Sequence, residues 1–184
     1  ESCRALGARL VLMSTDYVFD GAKGAPYREE DPTGPLNVYG RSKEKAERAA
    51  LTIVADHLVV RSASLYGRGG HHFVAGVLEQ ARKGAPLRIV ADQFHSPTFV
   101  GHLAPALVRA AASDLRGILH LAGRGGCSWF EFGRAVLSRA GLSVAWQTLQ
   151  EYVGKLDHRD RAIVTRNYER LAPAMARLQM MFVY

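Results

Sequence analysis

The chain has 184 residues, of which 48% are hydrophobic and 22% charged, and its formal net charge is +7. This composition excludes the disordered class, and the length suits one domain or one domain and part of another. No apolar run approaches the roughly 20 residues that a membrane span needs, so we expect no membrane insertion.

The positive charge raises the question of an anionic partner. The densest group of arginines comes late in the chain, at residues 159–170, and no RNA-binding or DNA-binding motif accompanies it. We therefore expect no nucleic-acid partner, because a positive field also attracts small anions such as nucleotides and sugar phosphates. Cys3 and Cys127 are too few for a disulfide framework or a metal site, which favours a reducing, cytoplasmic setting.

Apolar runs typical of buried strands alternate with helical patterns along the chain. The strands are predicted at residues 8–13, 57–61, 87–91 and 117–121. The helices are predicted at residues 38–51, 73–83, 103–112 and 129–140, the last capped by Ser128 and ended by Gly141. Weaker patterns suggest a strand at 144–148 and a helix at 168–180. This alternation predicts an α/β fold with a parallel sheet.

The segment 20–36 is the one marked loop of this pattern. It contains three glycines and three prolines and is too long for a simple connection. Open α/β sheets bind ligands at the carboxyl ends of their strands, and this loop follows such an end. We therefore expect it to cover a binding crevice.

Tyr39 and Lys43 lie four residues apart on the helix predicted at 38–51, so they share one face. A tyrosine exchanges protons near neutral pH only when its phenolate is stabilised, and a neighbouring ammonium stabilises a phenolate. The start of a helix favours the same charge. Thr15 lies just after the first predicted strand, at its carboxyl end, where its hydroxyl can face the same crevice.

Four segments carry a family resemblance that is more specific together than any one of them is alone. They are STDYVFDG at 14–21, PYREEDPTGPLNVYGRSK at 26–43, RSASLYG at 61–67 and DQFHSPTFVGHLA at 92–104. Together they resemble the extended short-chain dehydrogenase/reductases, and within these the dTDP-4-dehydrorhamnose reductases and their sugar-nucleotide-binding relatives. The resemblance covers roughly residues 5–140.

The resemblance implies NAD(P)H-dependent reduction of a nucleotide-linked 4-keto sugar without a metal. Thr15 would polarise the carbonyl, Tyr39 would protonate its oxygen, and Lys43 would lower the proton affinity of the tyrosine and hold the nicotinamide ribose. Cofactor contacts are expected at Tyr39, Lys43, Ala63 and Ser64, and substrate contacts at Thr15, Asp16, Tyr17, Ser96 and Thr98. The resemblance also allows a homodimer.

The sequence departs from the family pattern at two points. Reductases acting on dTDP-rhamnose precursors usually carry a tryptophan where this chain has Ser64, which leaves the sugar's identity open. No glycine-rich dinucleotide-binding turn precedes Thr15, so the chain resembles the back half of a Rossmann domain, and we expect weak NAD(P) binding by this chain alone. The predicted division is residues 1–66, with the Thr/Tyr/Lys site, and 67–184, mostly substrate-binding and interleaved with Rossmann elements.

Other functions remain open from the sequence. A sugar-nucleotide epimerase or dehydratase would share the threonine, tyrosine and lysine, although dehydration calls for further acid and base groups beside Thr15. A non-catalytic subunit resembling the regulatory subunit of methionine adenosyltransferase could retain the same residues. His71 and His72 are predicted to lie in a loop without a metal, and Trp129 and Phe130 are predicted to be core residues.

Overall fold

The computed structural model describes residues 1–148, which form an α/β fold. The helices are α1 Ser2–Leu6, α2 Val38–Ile53, α3 Phe73–Arg82, α4 Val100–Ala112 and α5 Trp129–Ala140. The strands are β1 Leu10–Thr15, β2 His57–Ser62, β3 Leu65–Tyr66, β4 Leu87–Ile89, β5 Phe94–His95, β6 Thr98–Phe99, β7 Gly117–His120, β8 Cys127–Ser128 and β9 Trp146–Thr148. In residues 1–148 no helix combines the length and the apolar character needed to cross a membrane.

The main sheet is parallel and has the order β1-β2-β7. Strand β2 lies in the middle, with Leu58 opposite Val11 on one side and opposite Gly117 on the other. Its central residues, Leu58, Val59 and Val60, are fully buried, which explains why it is a continuous apolar run. The predicted α/β class with parallel pairing is confirmed.

Three short two-stranded pairings lie outside the main sheet. Strands β3 and β6 are parallel, as are β4 and β9, whereas β5 and β8 are antiparallel. Helices α3 and α5 pack with β4 and β9 around a core that includes Val77, Leu87, Ile89 and Leu137. The division into residues 1–66 and 67–184 stays a prediction.

The sequence prediction differs from the structure mainly at element ends. Helix α4 begins at Val100, three residues before the predicted start, because its apolar periodicity only begins at Leu103, the buried residue of its first turns. Strand β4 ends at Ile89 instead of residue 91. The two-residue strands and α1 escaped prediction because they are too short to show a period. The helix predicted at 168–180 lies outside the described residues.

A buried ion pair joins helix α2 to strand β2. Two nitrogens of Arg61 donate to Glu47, Nε to Oε1 at 3.0 Å and Nη2 to Oε2 at 2.7 Å. Both side chains are almost wholly buried, and Ser14 of β1 donates a further hydrogen bond to Oε1 of the same carboxylate. The Arg61 guanidinium also lies over the ring of Phe19, 4.9 Å from its centroid. The pair therefore fixes α2 against both β1 and β2.

We expect Glu47→Gln to lower the free energy of unfolding by about 3–5 kcal/mol, because it leaves the Arg61 charge buried without a counter-charge. Urea denaturation at neutral pH measures the change. The matched control is Glu79→Gln, which removes the carboxylate of the Glu79–Lys83 pair, whose side chains are each 67% exposed. That control should cost less than about 0.5 kcal/mol. Equal losses in the two variants would contradict the role given to the buried pair.

Candidate active site

Strand β1 ends in a compact polar turn. Thr15 is buried at the strand end and begins a single 3-10 turn, residues Asp16–Val18. Its Oγ1 accepts a hydrogen bond from the Tyr17 backbone N–H at 3.2 Å and donates to Asp16 Oδ1 at 3.0 Å. The turn thus places a hydroxyl, a carboxyl and a phenol in succession at the carboxyl end of a parallel strand, which is where open α/β sheets bind ligands.

Burial changes the acidity of two groups in this turn. Loss of hydration raises the pKa of Asp16 to about 7, against the opposing effect of the hydrogen bond from Thr15. The pKa of Tyr17 is also raised, first by burial and then by the nearby Asp16 and Tyr39. Asp16 can therefore be protonated near neutral pH, when its carboxyl group can donate as well as accept a hydrogen bond.

The first turns of α2 pack against this polar turn. Asn37 caps the helix, its side-chain oxygen accepting from the Gly40 N–H at 2.7 Å. Lys43 Nζ donates to the backbone oxygen of Met13 at 3.2 Å and lies 5.9 Å from the centroid of the Tyr39 ring. The Tyr39 ring meets the Tyr17 ring edge-on, with centroids 6.0 Å apart. Tyr39 and Lys43 thus lie beside the end of β1.

Gly40 permits this close packing. A Cβ atom at this position would lie 2.1 Å from the backbone oxygen of Tyr17, a distance that no side chain can occupy. The residue that follows Tyr39 must therefore be glycine for α2 to approach the turn. Sequence reasoning missed this role, because a glycine early in a helix carries no signal of what approaches it.

Ala63 and Ser64 follow strand β2, close to the same edge. The Ala63 side chain is 1% exposed and packs with Val18, Phe19 and Tyr27. Ser64 has φ of 46°, and in residues 1–148 it alone among residues other than glycine has positive φ. This left-handed conformation turns the chain sharply between β2 and β3. Their predicted cofactor contacts stay a prediction.

The segment Ser96–Pro97–Thr98 is held against the turn at Ser64 by backbone contacts. The Thr98 N–H donates to the Ser64 carbonyl at 3.1 Å, and Thr98 Oγ1 donates to the Ser96 carbonyl at 3.0 Å. Gly123 donates its N–H to the same Oγ1 at 2.9 Å. Ser96 is fully buried, and its hydroxyl has no hydrogen-bond partner within residues 1–148. Both predicted substrate residues are thus buried.

A narrow pocket brings several of the predicted residues together. Asp16, Tyr17 and Ser64 line it, together with His95 and Trp129. Thr98 instead lines a second cavity of about 480 Å³. Tyr39 and Lys43 line neither of these two cavities. They belong to helix α2, where the Tyr39 ring packs against the Tyr17 ring.

Sequence reasoning missed His95, and it assigned Trp129 to the core. Trp129 does pack on the core of Val77 and Leu137, and it also lines the narrow pocket. His95 lies within the DQFHSPTFVGHLA segment, directly before the predicted substrate residues Ser96 and Thr98. This position is the signal that could have identified it as a candidate site residue. His72 caps α3, its Nδ1 accepting from the Ala75 N–H at 3.3 Å, in keeping with the prediction of a loop histidine.

We expect Gly40→Ala to destabilise the protein by about 1–3 kcal/mol, because the new methyl group would collide with the Tyr17 carbonyl. Thermal and urea denaturation measure the loss. Gly76→Ala is the matched control, since Gly76 also lies within a helix and a Cβ there would meet nothing within 4 Å. The control should be neutral or stabilised by up to about 1 kcal/mol. A stabilised Gly40→Ala variant would contradict the close approach.

Asp16→Asn tests the buried carboxyl through pH dependence. Because folding raises the pKa of Asp16 from 3.8 to about 7, its favourable contribution to stability is full below pH 4 and is lost as pH rises towards 7. Asparagine does not titrate, so the variant should gain stability relative to the parent protein by about 2–3 kcal/mol between pH 5 and pH 8. Urea denaturation at both pH values measures this difference. A constant or falling difference would contradict it.

The sequence and fold have clear relatives. The sequence profile of the RmlD substrate binding domain family matches residues 1–179. SpsK, a spore coat polysaccharide biosynthesis protein of Bacillus subtilis, is 41% identical over 157 residues, which are 84% of this chain and 55% of that protein. A dTDP-4-dehydrorhamnose reductase of Sinorhizobium fredii is 42% identical over 145 residues, 75% of this chain and 49% of the relative.

Comparison with solved structures finds relatives of the same kind as the sequence comparison does. The crystal structure of dTDP-4-dehydrorhamnose reductase from Bacillus anthracis, in complex with NADP, superposes with a TM-score of 0.77 at 34% identity. The match covers 80% of this chain and 53% of that one. The chain thus spans about half the length of the relatives that it matches. Since the family profile covers nearly all of the chain, the chain belongs to the RmlD substrate-binding domain family.

Proposed function

We propose that the protein reduces the ketone of a nucleotide-linked 4-keto sugar, with NADPH or NADH as the hydride donor. The observation that carries the proposal is the packing of Tyr39 and Lys43 beside the polar end of β1, where Thr15 lies. Membership in the family supports it, as do relatives named as dTDP-4-dehydrorhamnose reductases.

Each of the three residues has a distinct part in the proposed reaction. The Tyr39 hydroxyl gives its proton to the ketone oxygen as the carbonyl carbon gains a hydride, so the product is an alcohol. Thr15 turns its hydroxyl from Asp16 to the same oxygen and stabilises the charge that develops there. The Lys43 ammonium, close to the Tyr39 ring, stabilises the negative charge left on the tyrosine.

The donor groups at this site suit a nicotinamide cofactor, which when bound supplies the hydride. Lys43 is half-buried, and one of its three N–H groups is directed to Met13 O, while an ammonium can donate to ribose hydroxyls as well. Tyr39 is 52% exposed, so a ligand can reach its side chain. We assign Tyr39, Lys43, Ala63 and Ser64 to the cofactor side, and Thr15, Asp16, Tyr17, Ser96 and Thr98 to the substrate side.

A sugar-nucleotide dehydratase is the second candidate, and the state of Asp16 is the observation in its favour. A carboxyl group with a pKa of about 7 can act as a general acid near neutral pH. Dehydration also requires a base, and the adjacent residue is Tyr17, whose pKa is raised instead of lowered. The reductase therefore remains the better-supported proposal. Product analysis separates the two, because only reduction consumes NADPH.

The test is turnover by the full-length protein with NADPH and dTDP-4-dehydro-6-deoxy sugars, followed through the loss of NADPH absorbance. We expect Tyr39→Phe to lower kcat by about 10²–10⁴-fold, since the proton donor is removed while the ring remains. Lys43→Met should also lower kcat strongly.

The matched control is Lys45→Met. Lys45 is exposed and lies two positions further along α2, on a different face, so the variant should retain parental turnover. Full activity in the Tyr39→Phe variant would contradict the assignment of Tyr39 as the proton donor. A parent protein that binds a partner protein but consumes no NADPH with any nucleotide 4-keto sugar would instead point to a non-catalytic subunit.

A further inference from the structure

His95 and Trp129 form a stacked aromatic pair in the wall of the narrow pocket. Their ring centroids are 3.7 Å apart and the planes are inclined by 23°. The pairing of β5 with β8 creates the stack, because His95 lies opposite Cys127 and Trp129 begins α5 two residues later. Phe132, one turn further along α5, meets the His95 ring edge-on at 5.8 Å. The imidazole is thus held in one orientation by packing.

The polar atoms of this imidazole lack partners. His95 is 3% exposed, and neither ring nitrogen has a hydrogen-bond partner within residues 1–148. A buried polar group without a partner costs roughly 1–3 kcal/mol, so native proteins rarely retain one without a reason. Burial lowers the pKa of His95 to about 4, so the ring is neutral at physiological pH, with one N–H donor and one acceptor nitrogen.

The pocket joins this imidazole to the polar turn at the end of β1. Asp16 and Tyr17 line the pocket from the opposite element, and Ser64 lines it from the sharp turn after β2. Asp16 accepts the hydrogen bond from Thr15, so the pocket begins one residue away from the proposed reacting centre. The pocket holds about 20 Å³, which is room for one water-sized group, so a single hydroxyl of a ligand can enter it beside the imidazole and the carboxyl group. A sugar offers such a group, because its hydroxyls project from the edge of the ring.

We propose that His95 is a specificity-determining residue that forms a hydrogen bond with one hydroxyl of the sugar of the nucleotide-linked substrate, while the sugar ring itself lies outside the narrow pocket. This inference rests on the proposed function for its ligand. The His95–Trp129 stack forms the pocket wall and keeps the imidazole in place. His95 is not part of the proton transfer, which the proposed function gives to Tyr39.

Binding measurements with two ligands test the inference on the full-length protein by titration calorimetry. The ligands are dTDP-glucose and dTDP, which differ by the hexose. His95→Phe keeps an aromatic ring for the stack but removes both nitrogens, so it should weaken dTDP-glucose binding about tenfold or more and leave dTDP binding within about twofold. His95→Gln, which again supplies a donor and an acceptor, should recover part of the loss.

His71→Phe is the matched control, because His71 is an exposed histidine before α3. It should bind both ligands as the parent does. In turnover assays, His95→Phe should raise KM for the 4-keto sugar with little change in kcat. Unchanged dTDP-glucose affinity in His95→Phe, or an equal loss for dTDP and dTDP-glucose, would overturn the inference.

The binding result is independent of catalysis. If the parent protein consumes no NADPH but His95→Phe still loses dTDP-glucose selectively, the sugar contact stands and the proposed reaction fails. If turnover is normal and His95→Phe binds both ligands as the parent does, the reaction stands and the sugar contact fails.

Discussion

The buried ion pair between Arg61 and Glu47 is the interaction on which the arrangement of the candidate site depends. It crosses from the central strand β2 to the middle of α2, and Ser14 ties the same carboxylate to β1. Placing two charges in the interior is unfavourable unless they pair with good geometry, so the helix has little freedom to slide or rotate. The ion pair therefore fixes the position of the α2 residues that lie beside the end of β1, although Glu47 lies further along the helix.

The geometry around Thr15 follows from that constraint. Glu47 and Lys43 are four residues apart on α2, and both reach β1, Glu47 at Ser14 and Lys43 at the Met13 carbonyl. These contacts lie on consecutive residues of the strand, just before Thr15. Gly40, one turn earlier, lets the helix touch the backbone of Tyr17. One helix face therefore carries the structural anchor and the groups proposed to act on the substrate.

The side of the site that we propose for the substrate is assembled differently, from short strands instead of a long helix. The Thr98 N–H donates to the Ser64 carbonyl, the Gly123 N–H donates to the Thr98 hydroxyl, and a Cβ on Gly123 would lie 2.0 Å from the Pro97 oxygen. The β5–β8 pairing then sets His95 against Trp129. These contacts hold the side chains in place, so a substitution of one side chain can alter the pocket without a change in the fold.

The sequence by itself determined the α/β class, the helices and longer strands, and the placement of Tyr39 and Lys43 on one helix face. These features are local, because hydrophobic period, capping and four-residue spacing are all visible within a few turns of chain. The apolar run before Ser14 predicted the first strand in the same way, although β1 continues two residues beyond the predicted end, to Thr15.

The tertiary structure alone decided which distant residues meet. Arg61 and Glu47, Gly40 and the Tyr17 carbonyl, and His95 and Trp129 are pairs that no local pattern connects. The two-residue strands β5 and β8 show no period, and the acidity of Asp16 depends on burial by groups far along the chain. Local propensity chooses the elements, whereas desolvation and close packing depend on how these elements come together.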